Sequence, residues 1–389
     1  MNHPTTLSFW ERNSFFNDID VAIIGSGIVG LSTALALRER NDTLRIAVIE
    51  RGTMPTGAST RNAGFACFGS ITELLDDLEN HSENAVFALV EQRFKGLERL
   101  RQRVGDKNMN YEAFGGFEIF KNTVEERNPD SFGKGVIFEK CQDTLSYFNK
   151  NISSIVGRND NYEVLKQGFG YKNILPNLIW NKSEGQIDTG RMMMTLLRLA
   201  QEQNILIFNG LKINKMTDNT EGVILETADG WDFKAKKVVV ATNGFARQLM
   251  PELEVQAARN QVLITKPISK LHIKGCFHYD KGYYYFRNVG NRVLLGGGRN
   301  LAIKQEMTDA FGATKLIQNT LTQLLTDVIL PDTPFEIDTW WSGILGIGSH
   351  KKPIIERVSP NVIVAVRMGG MGIAIGSLVG EEAAGLVDI

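Results

Sequence analysis

Three glycines have the spacing of a turn that binds dinucleotide phosphates. Gly25, Gly27 and Gly30 follow the apolar run 20–24 directly and precede the helix-forming run 31–38. At such a strand-to-helix turn the first glycine permits the turn, the second lets a pyrophosphate approach the backbone, and the third lets the helix pack on the strand. We therefore expect the N-terminus of a helix, near Ile28, to face the phosphates.

An acidic residue follows at the distance that a ribose site requires. Glu50 ends a second apolar run, 45–50, and lies twenty residues after Gly30, with Arg51 next to it. A carboxylate there accepts hydrogen bonds from both ribose hydroxyls and repels a 2′-phosphate, which favours FAD or NAD over NADP. The alternative, a glycine turn followed by an unrelated surface glutamate, does not explain the order of strand, turn, helix, strand and acid.

The whole chain has the composition of a globular protein. Its 389 residues are 43% hydrophobic and include 38 glycines, so it can bury a core and is expected to form two domains. Its 43 basic and 44 acidic residues give a net charge of -1. A near-neutral chain has no excess of positive charge for phosphate contacts, which argues against nucleic-acid binding.

Cysteine and histidine usage indicates neither a disulfide framework nor a metal site. The chain has three cysteines without a Cys-x-x-Cys spacing, and five histidines that are scattered along it. Residues 1–20 contain four charges and no continuous apolar segment, and the uncharged run 21–37 is interrupted by glycines. We therefore expect no secretory signal, no integral membrane segment and a cytoplasmic location.

Four segments in order resemble the D-amino acid oxidase superfamily of FAD-dependent oxidoreductases. They are the glycine turn with Glu50, the loop Gly-Ala-Ser-Thr-Arg-Asn-Ala-Gly at 57–64, the strand and turn 237–246, and the segment from Trp341 to Gly369-Gly-Met-Gly-Ile373. The resemblance runs through almost the whole chain. The Trp-Ser-Gly-Ile-Leu-Gly-Ile pattern at 341–347 is similar to the γ-glutamylputrescine oxidase and glycine oxidase-like branch.

The resemblance implies FAD as the cofactor, and it implies which segments contact it. Non-covalent binding is expected, because no cysteine follows Cys276 and the early loop lacks a histidine. The closing glycine segment is expected to stabilise negative charge on the reduced ring. The implied cofactor-binding residues are Gly25, Gly27, Ile28, Gly30, Glu50, Arg51, Ser59, Thr60, Arg61, Asn62, Ala63, Gly64, Thr242, Asn243, Gly244, Gly369, Gly370, Met371, Gly372 and Ile373.

The implied fold is α/β, with a Rossmann-like FAD/NAD(P)-binding domain of the glutathione-reductase type and an α+β substrate domain built on a mixed sheet. The FAD-binding domain is expected from residues 1–65, 186–246 and 339–389. The substrate domain is expected from 66–185 and 247–338, with helices over 71–104. Catalysis is expected in the crevice between the domains.

Leu345 stands where relatives that oxidise α-amino acids have an arginine that clamps the substrate carboxylate. An apolar side chain cannot make this clamp, unless Arg61, Arg287, Arg299 or Lys351 replaces it. Tyr283 and Tyr285 share one face of a predicted strand, and the resemblance places Tyr285 in the substrate pocket. The predicted catalytic site therefore combines Arg61, Tyr285 and Leu345.

The favoured function is removal of a hydride from a CH–NH bond of a small amine or N-substituted amino acid, with oxygen or another electron acceptor. Oxidation of a hydroxy acid or polyol is an alternative, because related folds do this with the same flavin geometry. A flavin-binding protein without turnover, or a flavoprotein that modifies tRNA, is a third possibility. The near-neutral charge argues against the tRNA version.

Overall fold

The computed structural model describes residues 6–122, 134–166 and 168–388, and two mixed sheets organise them. The strands are β1 (Ile19–Ile24), β2 (Ile46–Glu50), β3 (Phe65–Ala66), β4 (Gly116–Ile119), β5 (Tyr162–Lys166), β6 (Asn177–Asn181), β7 (Gly185–Gln186), β8 (Leu206–Asn209), β9 (Ile213–Asn219), β10 (Gly222–Thr227), β11 (Asp232–Val240), β12 (Gln256–Thr265), β13 (Cys276–Tyr279), β14 (Tyr284–Val289), β15 (Arg292–Gly297), β16 (Ile337–Ile347), β17 (Ile354–Ser359) and β18 (Val362–Val366). The helices are α1 (Phe9–Glu11), α2 (Ile28–Arg40), α3 (Ala58–Arg61), α4 (Ile71–Asn80), α5 (Glu83–Val104), α6 (Lys134–Val156), α7 (Thr189–Glu202), α8 (Ile303–Glu306), α9 (Lys315–Leu324) and α10 (Gly372–Gly385).

The first sheet has the order β17-β18-β11-β1-β2-β8, and β10 links β11 to β9. β1 lies at its centre and pairs in parallel with β2 and β11. Its apolar residues are buried because α2, α7 and α10 cover one face of the sheet while a second cluster, with residues of β9 and β10, covers the other. This burial on both faces explains why β1 reads as a continuous apolar run.

Helix α2 is held tightly under the sheet. Ile28 to Leu37 are all buried, and α10 crosses α2 at close range. A Cβ atom at Gly380 would lie 2.6 Å from the Cβ of Ser32, so only glycine permits this approach. The contact fixes the N-terminus of α2 relative to the loop that precedes α10.

The second sheet has the order β16-β12-β15-β14-β13-β4-β6-β5. One face carries an aromatic core with α9, in which the rings of Phe277 and Phe286 stack at 4.8 Å. Alternation along β13 and β14 then turns His278 and Tyr285, which are paired in register, to the opposite face. That face lines a cavity between the two sheets.

The two mixed sheets agree with the predicted α/β class and with a mixed-sheet second domain, and α4 and α5 lie in the region 71–104 expected to be helical. One strand departs from the predicted ranges: β16 pairs with β12 in the second sheet, whereas residues 339–389 are predicted to join the first domain. β16 is in the second sheet because it makes a long antiparallel ladder with β12. The predicted ranges 1–65, 66–185 and 339–389 also include residues 1–5, 123–133, 167 and 389, which lie outside the described residues.

Across residues 6–122, 134–166 and 168–388, no helix is both long enough and apolar enough to span a bilayer.

Candidate active site

A cavity of about 960 Å³ lies between the two sheets. The glycine turn after β1 and the end of β2 form one part of its wall, and residues of β12, β13, β14 and β16 form another. The cavity therefore joins the predicted dinucleotide site to the predicted substrate site. It has the size of the clefts in which proteins enclose cofactors and small ligands.

The glycine turn has the shape that the sequence predicts. Gly25 has φ +108°, a conformation that favours glycine, and its Cβ atom would lie 2.8 Å from the carbonyl oxygen of Ala241. A Cβ at Gly30 would lie 1.9 Å from the carbonyl oxygen of Gly25, so α2 packs directly on the turn. Gly27 lines the cavity, and α2 begins at Ile28, whose N–H donates to Ser59 Oγ at 3.0 Å.

Glu50 lies at the carboxyl end of β2, in the wall of the cavity, and is almost fully buried. Its carboxylate accepts hydrogen bonds from Ser26 Oγ at 2.8 Å, from the N–H of Ser26 at 3.3 Å and from the N–H of Gly52 at 2.9 Å. A carboxylate has about four acceptor positions, so one position remains for a ribose hydroxyl. Arg51 also lines the cavity, and its guanidinium lies 3.9 Å from the ring centre of Phe245.

The loop that contains α3 contributes a second edge of the cavity, through Ser59, Arg61, Asn62 and Ala63. Asn62 shapes this loop, because its Oδ1 accepts from the N–H of Gly64 at 2.7 Å and from Thr189 Oγ1 at 2.8 Å. Thr60 and Gly64, both predicted to contact the cofactor, do not line the cavity. Thr60 Oγ1 donates instead to the carbonyl of Pro55, and the N–H of Ile187 donates to the carbonyl of Gly64.

The turn after β11 connects the cavity to its closing segment. Thr242 and Asn243 line the cavity, and Thr242 Oγ1 is buried without a hydrogen-bond partner among the described residues. Asn243 Oδ1 accepts from the N–H groups of Arg367 and Met368, each at 3.1 Å. Gly244 lies behind the cavity wall, where its Cβ would be 2.4 Å from the carbonyl oxygen of Leu345.

All of the predicted residues of the closing segment line the cavity: Gly369, Gly370, Met371, Gly372 and Ile373. A Cβ at Gly370 would meet no atom within 4 Å, so the backbone of this segment is open. α10 begins at Gly372 and directs its N-terminus to the same region. Together with the glycine turn and the unpaired Thr242 hydroxyl, these features fit a dinucleotide cofactor.

Tyr285 lies across the second sheet in the cavity wall. Its hydroxyl accepts a hydrogen bond from Asn260 Nδ2 at 2.9 Å, and its ring contacts Phe65 edge to face at 5.5 Å. Gly296 leaves room for the ring, because a Cβ there would lie 2.6 Å from ring atoms of Tyr285. Burial raises the pKa of Tyr285 well above its usual value, so the phenol is protonated at neutral pH and can donate a hydrogen bond.

Leu345 lies in β16, opposite Ala258 of β12, and is a half-buried part of the cavity wall. Two of the arginines that could replace the missing clamp are bound to backbone carbonyls. Arg61 donates from Nε to Thr56 and from Nη1 to Ser342, both at 3.1 Å. Arg287 is buried and donates from Nη2 to Ile187 at 2.9 Å.

Lys351 lines the cavity and forms ion pairs with Glu73 at 3.0 Å and Asp77 at 2.6 Å. Although burial alone raises the pKa of Glu73, the positive charges of Arg93 and Lys351 outweigh it and lower that pKa to about 2. Arg299 also lines the cavity. Among the described contacts it makes no hydrogen bond to a backbone carbonyl or a carboxylate, although its positive charge acts on the nearby carboxylate of Glu306.

Several cavity residues are not among those that the sequence singles out, and three polar examples are Glu73 of α4, Asn260 of β12 and His278 of β13. For His278 the signal was alternation, since pairing of β13 with β14 puts it beside Tyr285. Burial lowers the pKa of His278 to about 4, so its imidazole is neutral at pH 7. Asn260 and Glu73 carried no signal, because their neighbours across the sheet and on other helices are distant in sequence.

Comparison with known proteins agrees with this geometry. Residues 20–386 match the DAO family model, described as FAD dependent oxidoreductase. The chain is 23% identical to glycine oxidase of Geobacillus kaustophilus (84% of this chain, 80% of that protein) and 24% identical to gamma-glutamylputrescine oxidoreductase of Escherichia coli (95% and 83%). The crystal structure of the G. kaustophilus glycine oxidase superposes with a TM-score of 0.70 at 20% identity, covering 93% of this chain and 92% of that one. This chain belongs to the DAO family and is an FAD-dependent oxidoreductase.

Proposed function

We propose that this enzyme oxidises a small amine or an N-substituted amino acid at the carbon next to nitrogen, with FAD bound non-covalently. The observation that carries the proposal is the apolar wall at Leu345, in a cavity where Arg61 and Lys351 are bound to other groups of the protein. The third cation of the cavity wall, Arg299, is tested by substitution. The names of two relatives, glycine oxidase and gamma-glutamylputrescine oxidoreductase, support the broader class of amines and amino acids. Bound FAD would supply the hydride acceptor.

The residues proposed to hold FAD act in three groups. The turn from Gly25 to Gly30 and the N-terminus of α2 would bind the pyrophosphate, and Glu50 would accept from the ribose. Ser59, Arg61, Asn62, Ala63 and Thr242 would contact the central part of the cofactor. The closing segment 369–373, with the N-terminus of α10, would stabilise negative charge on the ring.

Two of the cations in the cavity wall, Arg61 and Lys351, are not free to clamp the carboxylate of an α-amino acid near Leu345. Arg61 would have to break its hydrogen bonds to two carbonyl groups, and its guanidinium would leave the ring of Phe311, 4.3 Å away. Lys351 would have to leave two carboxylates. A buried carboxylate without such partners loses charge-assisted hydrogen bonds of about 1.5 to 3 kcal/mol each.

Tyr285 is proposed to position the substrate. Its hydroxyl oxygen accepts from Asn260, so its own proton is available to a substrate heteroatom, and its ring offers an apolar surface beside Phe65. A neutral phenol can donate a hydrogen bond to an unprotonated amine nitrogen, or to a polar group of the substrate that is remote from the reacting carbon. This arrangement orients the reacting C–H bond without requiring a carboxylate.

The deciding measurement is anaerobic bleaching of the flavin in a stopped-flow instrument. We expect an amine without an α-carboxylate to reduce the flavin faster than D-alanine, glycine or sarcosine. A hydroxy acid such as glycolate tests the competing reaction. Faster reduction by the hydroxy acid than by every amine would exclude CH–NH oxidation as the main activity.

Two arginine variants test whether Arg61 or Arg299 binds a substrate carboxylate in place of the arginine that is absent at position 345. Arg61→Ala and Arg299→Ala are compared with the wild type on the same substrates, because both residues line the cavity. Rapid bleaching by an α-amino acid that disappears in one of these variants would show that this arginine binds the carboxylate, and it would contradict the amine proposal.

A further inference from the structure

Three side chains of metal-ligand type meet beside the cavity, and none of them belongs to the predicted FAD contacts. They are Cys67, which follows β3, Glu184, which precedes β7, and His278 of β13. One potential ligand atom from each lies within 4.8 Å of the other two. The sequence predicts no metal site because 67, 184 and 278 have no ligand spacing, and only the fold brings them together.

Two strand contacts create this group. β3 and β7 pair antiparallel, with Ala66 opposite Gly185, so that Cys67 lies beside Glu184. β13 is fixed against the same point, because Cys276 Sγ donates to the carbonyl of Gly185 at 3.2 Å. Since side chains alternate along a strand, His278 projects to the same side as Cys276.

Two of the three side chains are buried, the third is half-buried, and one of their polar atoms has no hydrogen-bond partner among the described residues. Cys67 and Glu184 are 3% and 1% exposed, and His278 Nε2 is buried without a hydrogen-bond partner in the described part of the chain. Glu184 Oε1 accepts from the N–H groups of Phe68 and Gly69, at 2.9 and 3.1 Å, which orients the carboxylate. An unpaired buried nitrogen is uncommon in native proteins and calls for a partner.

We propose that Cys67, Glu184 and His278 form a binding site for a divalent transition-metal ion, with Zn²⁺ as the best match. A thiolate, a carboxylate and an imidazole are the three ligand types that Zn²⁺ accepts in proteins, at about 2.0 to 2.3 Å. Hard ions such as Mg²⁺ and Ca²⁺ prefer oxygen ligands and do not suit this set.

The site has the ligand number of an open zinc centre. Three protein ligands leave a fourth position, and Cys67 and His278 both line the cavity. The open position would therefore face the cavity and hold water or a heteroatom of a small molecule. Burial raises the pKa of Cys67 and so favours the protonated thiol. Binding of the ion requires that this proton be released.

The test uses the wild-type holoenzyme. The protein is treated with a chelator, incubated with Zn²⁺ and desalted, and the bound metal is measured by mass spectrometry and by X-ray absorption at the zinc edge. We expect about one Zn²⁺ per chain, with one sulfur neighbour and the remainder nitrogen or oxygen. Retention of no zinc, or a zinc shell without sulfur, would overturn the proposal.

Variants assign the ligands. Cys67→Ser and His278→Gln should each weaken Zn²⁺ binding, measured by titration calorimetry, by on the order of tenfold or more. The matched controls are Cys141→Ser, a buried cysteine in another core, and His272→Gln, an exposed histidine. Equal affinity in wild type and Cys67→Ser would contradict the assignment, and if that variant does not fold, the sulfur neighbour in the wild-type absorption spectrum decides. The outcome is independent of which substrate the enzyme oxidises.

Discussion

Asn260 and Tyr285 are joined by a hydrogen bond across a strand that lies between them. Asn260 belongs to β12 and Tyr285 to β14, and β15 separates the two strands. The bond, 2.9 Å from Nδ2 to Oη, passes over Gly296 of β15, where a side chain would collide with the tyrosine ring. The position of the ring therefore depends on two neighbours rather than on its own strand alone.

This relationship predicts the effect of three substitutions on flavin reduction. Tyr285→Ala removes the ring, and Gly296→Ala displaces it without changing its chemistry. We expect both to lower the rate constant of anaerobic flavin reduction by roughly tenfold to a hundredfold, because the substrate loses its orientation. Tyr147→Ala is the control, since Tyr147 is exposed on α6 and is not among the residues that line the cavity. Unchanged reduction in Tyr285→Ala would remove this residue from the active site.

A second prediction concerns Glu50 and the affinity for FAD. Glu50→Arg removes the proposed ribose contact and also the acceptor of the Ser26 and Gly52 hydrogen bonds. We expect a loss of roughly 2 to 4 kcal/mol in FAD binding, measured by fluorescence titration of the apoprotein. Glu252→Arg, at an exposed site, should bind FAD like the wild type. An unchanged dissociation constant in Glu50→Arg would mean that this carboxylate has only a structural role.

The linkage of the cofactor is a third prediction. Precipitation with trichloroacetic acid should release all of the FAD into the supernatant, because non-covalent binding does not survive unfolding. Cys67 lines the cavity, whereas Cys141 lies in a separate core. Flavin that stays with the precipitate of the wild type, and is released from Cys67→Ser, would show a thioether at Cys67 instead.

The ion pairs that Glu73 forms with Arg93 and Lys351 predict how stability depends on pH. The pKa of Glu73 is about 2 in the folded protein and near 4.5 when unfolded, so the unfolded state binds more protons between these values. The stabilisation is complete above about pH 4.5 and is lost as the pH falls towards 2. Because the side chains of Glu73 and Lys351 are 24% and 39% exposed, solvent screening reduces it to about 1 to 2 kcal/mol.

Urea unfolding of Lys351→Met tests whether the stabilisation is lost as the pH falls. Because Arg93 still pairs with Glu73 in this variant, we expect it to be less stable than the wild type by only about 1 kcal/mol at pH 7, with a smaller difference at pH 3. Lys281→Met, which removes the exposed pair with Asp76, should cost about 0.5 kcal/mol or less. A difference for Lys351→Met that is the same at both pH values would contradict an electrostatic origin.

Local patterns predicted the parts of the fold that depend on neighbouring residues. The turn at Gly25 to Gly30 could be predicted because strand, turn and helix are adjacent in sequence, and Glu50 because the next strand must lie beside the first. The residue types in β14 and β15 were sufficient to predict that both segments form strands.

Contacts between distant segments could not be predicted in the same way. The placement of β16 depends on its ladder with β12, some eighty residues earlier, and no local pattern distinguishes the two sheets. The partners of Arg61 and Lys351 are equally remote. Sequence could name these cations as candidates, but whether they are available to a substrate depends on carbonyls and carboxylates that only the fold brings near.

The backbone contact between Gly244 and Leu345 limits how this enzyme can change during evolution or engineering. A side chain at position 244 would collide with the carbonyl of Leu345. The turn after β11, on the cofactor side, therefore packs directly against β16, which forms the wall on the substrate side. A substitution that enlarges the turn would shift β16 and reshape the substrate pocket. New substrate preferences should therefore arise more readily from side-chain exchange at Leu345 than from remodelling of the turn behind it.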